Sequence, residues 1–157
     1  MEVIVRKIKK SHEGNISFKM VVLIIIYLLQ AVPIGISSVM IIIMKQCDVS
    51  YSELSIFSLT SLPFSLKVLW APIVDSTYIK PFYRRKTWFI SVQIIAALLM
   101  YFGAVSKMPL KWSGELGLQP NIKMLTIYYT VLYFLMATQD ITVDGWSIEM
   151  LPEEYKK

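Results

Sequence analysis

Three charged residues stand where charge is costly. Asp140 and Asp144 lie four apart in ATQDITVDGWSIEML (residues 137–151), near the end of a long apolar run, and Lys67 interrupts another, LPFSLKVLWAPIV. Helix geometry puts residues four apart on one face, so Tyr129, Tyr133, Ala137, Asp140 and Asp144 form one polar stripe. Acids within a membrane face the bundle interior or a watery cavity and mark proton or solute pathways. The chemistry open to this pair is therefore proton binding or the lining of a cavity; hydration at the interface is the structural alternative for Asp144. A lysine at mid-span costs about 2.5–3.5 kcal/mol on insertion scales. At a helical rise of 1.5 Å per residue, Lys67 lies about 12 Å from Asp75 and Asp140 about 13–14 Å from Glu149. The depths match, so an ion pair between the two runs is feasible. Snorkelling to the interface and holding an anionic substrate are the other roles open to Lys67.

The elements that must position these residues are membrane spans. The chain is 55% hydrophobic and only 17% charged, too few polar residues to cover a water-soluble surface. About 20 apolar residues cross the hydrocarbon as a helix. Four runs meet that length: 20–44, 54–74, 87–106 and 124–148. They are long and continuous rather than short and alternating, which argues against a sheet. The first run is too long for a signal-peptide core and has no small-residue cleavage site after it. The expected fold is thus an all-α integral membrane bundle of four transmembrane helices, with a basic tail over 1–19 and a short end over 152–157.

Lysine and arginine counts orient the spans. Arg6, Lys7, Lys9, Lys10, Lys19, Lys80, Arg84, Arg85, Lys86, Lys156 and Lys157 fall on one side, against Lys45, Lys107, Lys111 and Lys123 on the other. Both termini are expected in the cytosol, and the sequon Asn15-Ile16-Ser17 with them. The basic residues flank apolar runs, so the net charge of +5 reads as a topology signal, and no nucleic-acid partner is expected. The lone Cys47 excludes an internal disulfide and a cysteine-based zinc site. His12 is the only histidine and lies in the polar tail, so a membrane acyltransferase would lack its usual general base. No enzyme activity and no cofactor are expected.

Further residues break the apolar rule. Gln30, Pro33, Gly35, Ser37 and Ser38 interrupt span one in QAVPIGISS. A proline removes one backbone hydrogen bond and kinks a helix, and kinked spans with small polar residues line transporter cavities, although tight helix packing accounts for them as well. Pro63 and Pro72 make span two irregular in the same way. In DSTYIKPFYRRK, Asp75 followed by Arg84, Arg85 and Lys86 can form a charge–dipole latch between helices or serve as a plain cytosolic anchor. Residues 107–123 carry Pro and Gly punctuation and read as the one long loop.

YLLQAVPIG, LPFSLKVLWAPIVDS, RRKTWF and ATQDITVDGW together resemble the acetyl-coenzyme A transporter family of the major facilitator superfamily. Bacterial muropeptide permeases carry a related pattern with acids at the places of Asp140 and Asp144; Gly145 and Trp146 favour the acetyl-coenzyme A side. Tyr83 departs from the loop motif, which has glycine there. The resemblance implies the first third of a twelve-helix fold, inactive by itself, whose whole moves acetyl-coenzyme A from cytosol to endoplasmic reticulum lumen. Acetyl-coenzyme A carries several negative charges. Lys67 is the base at depth, and Arg84, Arg85 and Lys86 could draw the solute to the mouth. Asp140 and Asp144 would pair with bases or take up protons, with Gln30 and Tyr133 along the same pathway. A carrier of another solute, such as a muropeptide-permease-like protein, and a small four-helix membrane assembly subunit are the alternatives.

Overall fold

The computed structural model describes residues 2–77 and 84–150, and the side chains of 18–77 and 88–148. The described chain is all-helical. Helix α1 (Glu2–Gln46) leads into α2 (Tyr51–Ser58), α3 (Leu62–Leu66) and α4 (Ala71–Ser76). Then follow α5 (Arg84–Ser106), the short α6 (Met108–Ser113) and α7 (Ile122–Met150). The backbone of the basic tail continues α1, while the side chains before Phe18, those of the sequon included, are not among the described ones.

Two stretches among the described residues, Phe18–Gln46 of α1 and Trp88–Ser106 of α5, are long and apolar enough to cross a membrane. Their outward faces carry large apolar side chains in the open, among them Leu28 at 64% and Phe102 at 60% exposure. Water-soluble monomers seldom present contiguous apolar patches beyond a few hundred Å²; contact with acyl chains accounts for such faces.

The run 54–74 is not one helix. Turns of 3₁₀ helix at Leu59–Ser61 and Lys67–Leu69 divide it into α2, α3 and α4. Proline is the cause. Pro63 and Pro72 each stand at the first positions of a new helix, where a missing N–H does no harm, whereas inside a continuous helix each would clash with the carbonyl four residues back. Pro33, by contrast, is absorbed within α1. The run 107–123 is also more ordered than a loop: Pro109 opens α6, and Gly114, at φ 91°, closes it in a left-handed conformation that glycine adopts without a Cβ penalty.

Helix α7 is the hub and touches every other helical element. At one end Met44, Leu54, Phe57, Leu125, Tyr129 and Leu132 form the larger core; farther along, Val92 and Ala96 of α5 pack on Leu135 and Met136. Ser50 anchors this first end, since its hydroxyl accepts from the Glu53 amide while the Glu53 carboxylate accepts from the Ser50 amide, a capping box that starts α2. Directions follow from the pairings. Ser37 meets Tyr133, Gln30 meets Asp140 and Tyr27 meets Asp144, so α1 runs antiparallel to α7. Phe57 meets Tyr129, Phe64 meets Tyr133 and Lys67 meets Asp140, so the broken segment runs parallel to it.

Candidate functional site

The proline breaks deliver a lysine to α7. Leu66 (φ −98°, ψ 1°) and Trp70 (φ −108°, ψ −2°) bracket the 3₁₀ turn that begins at Lys67, both in the sparsely allowed bridge region. Beyond the turn, the Trp70 indole N–H donates to the Thr138 hydroxyl at 3.2 Å and the ring leans on Phe134. Before it, Phe64 packs edge-on against Tyr133. The break is thereby pinned to α7 on both sides of Lys67.

Lys67 Nζ donates to Asp140 Oδ2 at 2.5 Å and to Asp144 Oδ2 at 3.3 Å. Each carboxylate gives its other oxygen to α1. Asp140 Oδ1 accepts from Gln30 Nε2 at 2.9 Å, and Asp144 Oδ1 accepts from the Tyr27 hydroxyl at 2.7 Å. Two residues three apart on α1 thus meet two residues four apart on α7, the neighbour spacings of a helix surface. Exposure is graded: the side chains of Asp140, Lys67 and Asp144 are 15%, 31% and 48% accessible. Asp140 is the inner member, and Asp144 opens outward.

Two carboxylates face one ammonium. With all three ionised the cluster carries one surplus negative charge, so it can take up a proton or another cation without losing its lysine. Within the cluster the ammonium is the cationic group that an entering anion could claim, provided a carboxylate lets go. Nearby polar capacity is left over: Gln30 Oε1 and both amide atoms of the fully buried Gln139 have no partner among the described residues. A site of three or more His, Cys, Asp or Glu able to hold a metal is absent among the described residues.

Of the residues expected to act together, Lys67, Asp140, Asp144 and Gln30 do meet. Tyr133 lies two turns before Asp140 on α7 and shares a hydrogen bond with Ser37 at 2.6 Å rather than joining the ion cluster. Asp75 is exposed in α4, while the side chains of Arg84, Arg85 and Lys86, and the turn at Tyr83, lie outside the described residues. Among the described residues, Trp88 ties the two helices there, its indole N–H donating to the Thr77 carbonyl at 2.6 Å. Tyr27 was not expected in the site. Its place one turn before Gln30, opposite the one-turn spacing of the two acids, is the signal that could have found it.

The family described as acetyl-coenzyme A transporter 1 matches residues 19–156. The chain belongs to the acetyl-coenzyme A transporter family. Family membership covers every residue of the cluster. An uncharacterized protein of Schizosaccharomyces pombe is 42% identical over 134 residues, covering 84% of this chain and 25% of that protein. An uncharacterized membrane protein of Saccharomyces cerevisiae is 35% identical over 147 residues, covering 84% and 26%. The anhydromuropeptide permease of Escherichia coli is 30% identical over 108 residues, covering 68% and 20%. The chain therefore spans about a quarter of the length of the curated relatives it matches. No solved structure matches the chain.

Proposed function

We propose that this membrane protein of the acetyl-coenzyme A transporter family serves in a carrier that moves acetyl-coenzyme A from the cytosol into the endoplasmic reticulum lumen, with its N-terminus in the cytosol. Its four apolar runs would each cross the bilayer, as in one third of a major-facilitator bundle. Runs two and four, the broken segment and α7, share one direction and run one, α1, takes the opposite one, which supports that reading, since successive crossings must alternate. The observation that carries the function is the cluster of Lys67 with Asp140 and Asp144, seated on a broken helix. Discontinuous helices with polar side chains at depth build solute and ion sites in carriers.

In this mechanism Lys67 is the anion-binding group and the carboxylates are its resting partners. A proton taken up by Asp140 removes a charge that holds Lys67, and the ammonium becomes available to a phosphate or carboxylate of the solute. Departure of the solute restores the ion pair and expels the proton. Gln30 and Tyr27 keep the carboxylates aimed through both steps, because their bonds use the oxygens that Lys67 does not. Arg84, Arg85 and Lys86 would raise the concentration of the anion at the mouth.

The similarity to the anhydromuropeptide permease supports a second reading, a carrier of a muropeptide-like solute. Vesicles bearing the protein expressed from its complete reading frame separate the two. Labelled acetyl-coenzyme A is expected to accumulate and to be competed by unlabelled acetyl-coenzyme A but not by anhydromuropeptide. The opposite pattern of competition would transfer the assignment to the second reading.

A further inference from the structure

A second feature lies apart from the ion cluster. Helices α1 and α5 both pack on α7, and between them, roofed by α6, is a cavity of about 230 Å³. Pro33, Ile36 and Met40 form one wall, Met100 and Ala104 the other, and Leu132 lies at the back. An apolar cavity of roughly 150 Å³ already stays dry and accepts a small hydrocarbon. Gly103 makes room for one wall: a Cβ there would collide with the Tyr128 hydroxyl, which donates to the Leu99 carbonyl at 3.1 Å.

One charged residue touches this apolar space, Lys107. It is exposed and follows Ser106, the last residue of the apolar stretch of α5. Its backbone is held at φ 50°, a left-handed conformation that is uncommon for residues other than glycine and is found at ligand clamps. Among the described residues it joins no ion pair. A hydrocarbon-lined space inside the span with an unpaired ammonium at the span's end has the polarity of an amphiphile.

We infer that the α1–α5 cavity binds an anionic phospholipid, one acyl chain between the two helices and the headgroup phosphate at Lys107. A zwitterionic headgroup brings its own ammonium against Lys107 and is held less well. The inference rests on the bilayer reading of α5 and is independent of which solute is carried.

Native mass spectrometry of the purified protein tests it, with phosphatidylglycerol and phosphatidylcholine of identical chains offered separately. One phosphatidylglycerol is expected to stay bound about fivefold better than phosphatidylcholine, the worth of one lysine at an anionic lipid surface. Lys107→Gly relieves the left-handed strain, so the variant folds, and it is expected to hold both lipids equally. Ala104→Phe fills the cavity and is expected to lose both; Ile36→Phe does so from the opposite wall if the first variant does not fold. No retained lipid, equal retention of the two lipids by the parent, or unchanged preference in Lys107→Gly overturns the inference. So does a cavity-filling variant that alters self-association and leaves lipid retention intact.

Discussion

Lys67 Nζ lies 2.5 Å from Asp140 Oδ2, although the two residues are 73 apart in the chain. The contact exists because a 3₁₀ turn, set between two prolines, presents the lysine toward α7. On the far side of the same carboxylate, Gln30 holds the other oxygen. Asp140 is thus the point where α1, the broken segment and α7 are tied together.

Removing the lysine leaves two carboxylates facing each other's charge. Lys67→Ala is expected to destabilise the protein by about 2–3 kcal/mol, short of the 3–5 kcal/mol for a fully buried pair because Lys67 is partly exposed. Asp140→Asn alone is expected to cost less, and the double variant less than the sum, with a coupling of about 1–2 kcal/mol. Thermal unfolding of the four proteins in detergent measures it; additive losses would mean that the two side chains do not interact.

Pro72→Ala returns an N–H to the carbonyl of Val68 and lets the 3₁₀ turn join the helix beyond it. Helix content by circular dichroism is expected to rise while stability falls by about 1–3 kcal/mol, because Lys67 leaves its two carboxylates and the unfolded chain is no longer restricted by the proline. Transport is expected to fall at least tenfold, because a continuous helix turns Lys67 off the face that meets α7. A variant that gains helix and keeps full uptake would separate the break from function.

Tyr27→Phe removes one bond to Asp144, the most open member of the cluster, and is expected to cost about 1 kcal/mol or less in stability. Its effect on uptake is expected to be smaller than that of Gln30→Leu, which strips the inner carboxylate of its neutral donor. Ranking the two variants in one uptake assay checks the inner–outer order.

Gly103→Ala places a methyl group against the Tyr128 hydroxyl. Overpacking of this kind costs about 1–3 kcal/mol, and the Tyr128–Leu99 hydrogen bond goes with it. The loss is expected to shrink in a Tyr128→Phe background, as a shift in the midpoint of thermal unfolding would show.

Much of this was legible in the residues. Apolar length locates α1, α5 and α7, and the helical rise from Asp75 and Glu149 puts Lys67 and Asp140 at matching depths. Proline positions announced irregularity in 54–74, but not that Leu59–Ser61 and Lys67–Leu69 would tighten into 3₁₀ turns, because where a freed carbonyl finds a new donor depends on packing against α7. A tyrosine in an apolar run reads as hydrophobic, so Tyr27 gives no signal by type; only the register of α1 on α7 turns its hydroxyl into a carboxylate donor. Helix α6 was hidden by its own punctuation, since Pro109 and Gly114 mark its two ends as readily as they mark a loop.

Uptake of labelled acetyl-coenzyme A into vesicles bearing the protein from its complete reading frame, compared for the parent, Lys67→Ala, Asp140→Asn and the capping control Ser50→Ala, tests the central claim most directly. Parent and Ser50→Ala are expected to accumulate label, and the two cluster variants to lose at least tenfold. Undiminished uptake in both Lys67→Ala and Asp140→Asn would contradict a role for the ion cluster in transport.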